Sequence, residues 1–285
     1  MAKTILITGA NGQLGSEIKA IASQFLAFDF LFTDVDSLDL LNKGALCTFA
    51  ADKKIDYVIN CAAYTAVDKA ETEIELCYSI NRDAIKNLAE VFSTSRIIHV
   101  STDYVFDGTA TRPYRETDPT NPQSVYGKSK LEGEEALLNA DVEAIIIRTA
   151  WLYSPYGNNF VKTMIRLGSE RSEVNVVCDQ EGTPTYAADL ARSILNMVLY
   201  SEQIDFPSGV YHYSNEGKTT WYEFASKVME LAKLDCKVNP IPTNEYPTPA
   251  ARPKYSVLDK TKIKETFTLP VPQWEESLEN CISRL

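Results

Sequence analysis

Histidine is nearly absent. Of 285 residues only His99 and His212 carry an imidazole, and both stand inside apolar, strand-like runs. That placement excludes a histidine-built metal site or a Ser–His–Asp triad, and reads each ring as a core residue or one that backs a site. The six cysteines (Cys47, Cys61, Cys77, Cys178, Cys236 and Cys281) include no close pair. Such scatter excludes a disulfide framework and a zinc site, and suits reduced thiols. No apolar run approaches the ~20 residues that cross a bilayer, so no membrane partner is expected. Basic clusters are missing too. The net charge is −11 and the isoelectric point is near 4.8, which argues against nucleic acid as a partner. The chain enters an apolar strand directly after Met-Ala-Lys, leaving no room for a signal peptide, and a cytoplasmic protein is expected.

What is present is an ordinary globular composition, 45% apolar and 24% charged, at a length for one large domain or two small ones. Residues 3–8 form a short apolar run of the kind buried on both faces of a parallel sheet. Gly9-Ala-Asn-Gly12-Gln13-Leu14-Gly15 follows, and residues 16–22 read as a helix. Strand, glycine-rich turn and helix in that order make a dinucleotide-binding context. The glycines let backbone amides approach a pyrophosphate, and the helix N-terminus adds partial positive charge. A second strand, 28–32, leads to Asp34, 19 residues past Gly15. A carboxylate there accepts hydrogen bonds from an adenosine ribose and repels a 2′-phosphate. No arginine stands nearby, which tilts the cofactor towards NADH over NADPH. Asp39 and Leu40 come next, with Asp39 read equally as an adenine-edge contact or a solvated cap.

Strands at 57–61, 97–102 and 144–149 alternate with helical segments, 77–92 among them, and predict an α/β fold, a Rossmann-type doubly wound parallel sheet. The first of these strands leads into the small residues Ala62 and Ala63 and then Tyr64. The second ends in Ser101-Thr102-Asp103-Tyr104, and the third in Ala150-Trp151. Ligands bind at such carboxyl ends. Three prolines make 111–123 a loop that delivers the chain to Tyr126-Gly-Lys-Ser-Lys130 and a run of helix formers. Residues four apart share a helix face, so Tyr126 and Lys130 point the same way. An ammonium beside a phenol lowers its pKa from ~10, towards the range of a general acid or base. Beyond 153 the pattern changes. Helices are expected at 159–167, 187–200 and 220–234, short strands around 174–177 and 210–213, a proline-rich stretch at 237–258 and a closing helix from 274. A dinucleotide-binding domain, 1–153, and a smaller C-terminal α/β lobe, 154–285, follow, with segments free to cross back to the sheet.

Thr8-Gly-Ala-Asn-Gly-Gln-Leu-Gly15, Asn60-Cys-Ala-Ala-Tyr-Thr-Ala-Val-Asp-Lys-Ala-Glu71, Ser101-Thr-Asp-Tyr-Val-Phe-Asp-Gly108, Tyr126-x-x-x-Lys130, Arg148-Thr-Ala-Trp-Leu-Tyr153 and Arg252-Pro-x-x-Ser256 occur in that order. Together they resemble the extended short-chain dehydrogenase/reductases, and within them the dTDP-4-dehydrorhamnose reductase family, nearly end to end. The resemblance implies a catalytic group of Thr102, Tyr126 and Lys130. It implies cofactor contacts from Gly9 to Gly15 (Gly12, Gln13 and Leu14 among them) and at Asp34, Asp39, Leu40, Ala62, Ala63 and Tyr64. Sugar-nucleotide contacts are implied at Thr102, Asp103, Tyr104 and Trp151. The reaction it implies is hydride transfer from NADH or NADPH to the C4 ketone of a dTDP-linked 6-deoxy-4-ketohexose, with Tyr126 as proton donor. Some similar proteins need Mg²⁺ held between subunits by C-terminal acids. Glu275 and Glu276 are the candidates here, and no metal is assigned. A sugar-nucleotide dehydratase or epimerase is a second reading, disfavoured by Tyr104 where dehydratases carry glutamate. A cofactor-binding regulatory subunit, like the β subunit of methionine adenosyltransferase, is a third. A homodimer stays open.

Overall fold

The computed structural model describes residues 2–285. In its first half, strands and helices alternate: β1 (Lys3–Thr8), α1 (Gln13–Ile21), β2 (Phe28–Phe32), α2 (Lys43–Asp52), β3 (Tyr57–Asn60), α3 (Ala84–Val91), β4 (Arg96–Thr102), α4 (Val125–Leu138) and β5 (Ala144–Thr149). The second half adds α5 (Phe160–Glu170), β6 (Glu173–Val177), α6 (Ala187–Ser201) and β7 (Gly209–His212). It closes with α7 (Trp221–Leu231), β8 (Lys237–Ile241), α8 (Thr261–Phe267) and α9 (Trp274–Ile282). The central sheet runs β7-β5-β4-β3-β1-β2, and every pairing in it is parallel.

Strand periodicity builds the core. Along β1, Ile5 and Ile7 face one side with Leu14, Ile18, Leu190 and Ile194. Leu6 faces the other with Leu46, Leu88 and Phe92. Successive side chains of a strand point to opposite faces, so the unbroken apolar runs serve both layers at once. Burying each such side chain contributes roughly 1.5–3 kcal/mol. Because β1 has β2 on one side and β3 on the other, the chain winds outward in both directions. The crevice at the carboxyl ends of β1 and β3 is therefore the topological switch point.

The sixth strand of this sheet comes from the second half: β7 pairs with β5, Gly209 opposite Ile145 and His212 opposite Arg148. Beyond the sheet, β6 and β8 form a parallel pair, backed by α5 and α7 through Val161, Met164, Val174, Phe224 and Val228. β8 lies in the proline-rich stretch 237–258, for which the sequence predicts no strand. Pro240 is tolerated in it because β8 pairs on one side only. The single helix expected over 77–92 is instead a helix at Ile74–Tyr78, a π turn at Ser79–Asp83, and α3. Asn81 is the cause. Its side chain accepts from Tyr64 N (2.9 Å) and donates to Tyr64 O (3.1 Å), and an extra residue in the turn swings it there. Among the described residues, no helix is long and apolar enough to cross a membrane.

Candidate active site

Gly9 leaves β1 with φ +63°, and a Cβ on it would stand 2.6 Å from Ala62 N, so this turn needs a residue without a side chain. The turn hands the chain to α1, whose N-cap is Gly12 and carries no capping side chain. The first amides of α1 are thus left for an anion. At the end of β2, the Asp34 carboxylate accepts from Asn11 N and Val35 N, each at 2.8 Å, and is fixed beside the glycine turn. Gln13 is held from the second half, where Asn159 Nδ2 donates to its Oε1 at 3.0 Å. Bare helix amides, a glycine cradle and a fixed carboxylate at the next strand end fit a dinucleotide.

The helix α4 is seated with little freedom. Ser124 caps it by accepting from Gly127 N at 3.1 Å. Gly127 and Gly133 let it approach closely: a Cβ would lie 2.3 Å from Tyr104 O at the first and 2.1 Å from Asn81 O at the second. Tyr126, in the first turn, meets the Tyr104 ring edge-on at 5.5 Å. One turn later Lys130 is 1% exposed. Its Nζ donates to Val100 O at 2.7 Å and stands 3.3 Å from His99 Nε2. Thr102 Oγ1 donates to Asp103 Oδ1 at 3.0 Å and accepts from Tyr104 N.

These side chains border a cavity of about 570 Å³ at the switch point. It brings together Gly12, Gln13, Leu14, Ala63, Thr102, Asp103, Tyr104, Tyr126, Lys130 and Trp151. Gly9, Gly15, Asp34, Asp39, Leu40, Ala62 and Tyr64, also expected at the site, do not line it. Gly9 forms the turn, and Gly15 packs on the Gly9 carbonyl. Ala62 N donates to Asn60 Oδ1, and Tyr64 OH donates to Glu73 at 2.7 Å. Asp39 accepts from Leu41 N, and Leu40 is buried beside α2 and α3.

One electrostatic expectation is corrected. Burial, not the neighbouring amine, governs Tyr126 and pushes its phenol well above the ordinary range, with the Thr102 hydroxyl opposing. Lys130 is turned to Val100 O and His99, and burial lowers its amine to about 8. Asp103, buried with Oδ2 unpartnered, is pushed up to about 6.

The comparisons point one way. A family model described as "RmlD substrate binding domain" matches residues 3–285. The dTDP-4-dehydrorhamnose reductase of Aggregatibacter actinomycetemcomitans is 42% identical, covering 97% of each chain. That of Escherichia coli K12 is 39% identical over 99% of this chain and 97% of its own. A crystal structure of the Clostridium acetobutylicum protein of that name superposes with TM-score 0.92 at 47% identity, covering 99% of each chain. The Bacillus anthracis protein, solved in complex with NADP, gives 0.95 at 39% identity over 100% of both. The chain belongs to the dTDP-4-dehydrorhamnose reductase family.

With the family in view, the residues that sequence reasoning missed form a second cavity of about 640 Å³, lined by Phe160, Met164, Val174, Trp221, Arg171 and Arg252 among others. Tyr104 borders both cavities. Trp151, whose φ is +48°, stacks on Trp221 at 3.6 Å and joins the two rims. Arg252 stands in a family motif noted above, and its guanidinium reaches Asp68 at 2.7 Å. Phe160 and Trp221 gave no signal, because an apolar residue on a helix reads as core. The acids Glu275 and Glu276 are exposed on the first turn of α9. Among the described residues no three His, Cys, Asp or Glu side chains gather to hold a metal ion.

Proposed function

We propose that the protein reduces the C4 ketone of dTDP-4-dehydro-L-rhamnose to give dTDP-L-rhamnose, using NADH or NADPH. The observation that carries this reading is the placement of Tyr126, Lys130 and Thr102 on one wall of the switch-point cavity. Close relatives bear the name of that reaction, and one was solved with NADP.

The bound nicotinamide supplies the hydride. Tyr126 donates a proton to the C4 oxygen, and burial, which holds the phenol protonated at neutral pH, suits that role. Lys130 holds the nicotinamide ribose and steadies the phenolate left behind. Thr102 donates to the carbonyl oxygen, turning its hydroxyl from Asp103 to do so. The second cavity takes the nucleotide: Phe160 and Trp221 offer faces for a base, and Arg171 and Arg252 offer charge to a diphosphate. Tyr104 stands where dehydratases carry the glutamate that serves as base, which favours a reduction over an elimination. Asp34 favours NADH over NADPH. The lobe beyond 153 is read as the sugar-nucleotide side of the site. A cytoplasmic location and a homodimer complete the reading, the latter checked by light scattering.

The test is the absorbance of NADH and NADPH on addition of dTDP-4-dehydro-L-rhamnose, with the product sugar identified by NMR. Stoichiometric oxidation and dTDP-L-rhamnose are expected. Product formed without net oxidation would make it a dehydratase or epimerase, and no turnover would leave only the regulatory reading.

A further inference from the structure

Below the site runs a buried polar chain that ends on Lys130. Thr8 Oγ1 donates to Asn60 Oδ1 at 2.6 Å, and Ala62 N donates to the same oxygen at 3.2 Å. A backbone N–H can only donate, so the atom it meets is the amide oxygen, and Asn60 Nδ2 is the atom facing His99 Nδ1 at 2.9 Å. An amide nitrogen also only donates, which makes His99 Nδ1 the acceptor and places the ring proton on Nε2. That N–H faces Lys130 Nζ at 3.3 Å. An ammonium there would set N–H against N–H, whereas an amine accepts from the ring and still donates to Val100 O at 2.7 Å. Thr8, Asn60, His99 and Lys130 are each at most 1% exposed, so bulk solvent screens the arrangement little.

We propose that His99 is a positioning residue for the reduction: held as its Nε2–H tautomer by Asn60, it favours the uncharged amine of Lys130, and the fraction of the lysine standing as amine takes up a proton from solvent when the cofactor binds. The inference rests on the reading in which Lys130 holds the nicotinamide ribose. The charged groups around the pair are few. On its own helix, Tyr126 and Glu134 stand one turn to either side of Lys130. The Glu134 carboxylate is bound by Arg148 of β5 at 2.7 Å, which spends most of its field. Cys77 approaches from the helix Ile74–Tyr78, and Glu134 and Cys77 both favour the ammonium. Asp103 borders the same cavity. Burial lowers His99 well below its ordinary range, so the ring is neutral, and lowers Lys130 to about 8, so the amine becomes its main form as pH rises through about 8 before the cofactor binds.

The proposal separates binding from chemistry. Calorimetry of NADPH binding in buffers of different ionisation enthalpy counts protons taken up by the whole protein. Uptake in the wild type is expected to be small near pH 6.5 and to approach one proton per cofactor by pH 9. In Asn60→Asp the new carboxylate accepts from Nδ1–H, bares Nε2 for an ammonium and abolishes the uptake. In His99→Gln the amide turns its oxygen to the ammonium and moves the uptake to higher pH. Uptake that is flat in the wild type, or unchanged in both variants, overturns the proposal. Should the variants not fold, the ¹⁵N-histidine spectrum of the wild type decides alone: a proton on Nε2 supports the tautomer and a proton on Nδ1 refutes it. If proton uptake is seen but no ketosugar is reduced, the proposed function falls while the seating of Lys130 by His99 stands.

Discussion

Tyr126 and Asp103 carry opposite consequences of the same burial. For Tyr126, burial keeps the acid loaded, so Tyr126→Phe is expected to lower kcat by ~10²-fold or more with NADPH binding retained, as read by fluorescence titration. Near wild-type turnover would move the proton donor elsewhere. For Asp103, burial raises the carboxyl from ~3.9 in an unfolded chain to about 6. A raised folded pKa gives stability that is complete below ~3.9 and lost as pH rises through about 6, so the ionised side chain costs stability at neutral pH. Asp103→Asn keeps an acceptor for Thr102 and removes that cost. Its Tm is expected to exceed the wild type by a few degrees at pH 7.5 and by much less at pH 4, measured by differential scanning fluorimetry. Equal gains at both pH values would remove burial as the cause.

The element that decides the site is α4, and its fit depends on two glycines as much as on Tyr126 and Lys130. Gly133→Ala sets a methyl 2.1 Å from Asn81 O, which no side-chain rotation relieves. A loss of about 1–3 kcal/mol is expected, with kcat falling more than KM rises because Tyr126 moves off its place. Gly44→Ala in α2 is the control. It meets only the Asn42 side chain, at 3.4 Å, and should gain a few tenths of a kcal/mol by stiffening the unfolded chain. Denaturant melts of both variants test the pair, and equal effects would deny α4 its close seat. Such seats are where the sequence falls silent. β1 and β5 were legible to the residue because strands buried on both faces are mainly apolar, and the half-buried edge strand β2 because aromatic Phe28, Phe30 and Phe32 favour a strand. So was the Tyr126–Lys130 face, because helix spacing fixes it. α2 was not legible, since it buries only Leu46 and shows no apolar stripe. The π turn was hidden because Asn81 acts through a partner 17 residues away. The slot of Phe160, Trp221 and Arg171 was hidden because its walls come from distant segments.

At the scale of the molecule, the chemistry and the core divide the chain differently. The residues proposed for the cofactor and the proton transfer all precede 153. The sheet that holds them is completed by β7, and one of its two faces is covered by Leu190, Ile194, Leu195, Val198 and Phe267. Removing everything after 153 would bare that face and leave the edge of β5 unpaired along Ile145, Ile146 and Ile147, an open strand of high β-propensity. A fragment of residues 1–153 is therefore expected to keep part of its far-UV circular dichroism, to lose near-UV signal, to bind ANS and to aggregate with warming. It should show no saturable NADPH binding, although every cofactor residue named here is present in it and only Asn159, which holds Gln13, is lost. The full chain under the same conditions should melt in one cooperative step that NADPH moves upward. A fragment that melted cooperatively and bound NADPH would mean that the β7 edge and the α6 layer are dispensable. The cofactor site would then be the property of a self-sufficient half, and the second half a lobe added for the sugar nucleotide alone.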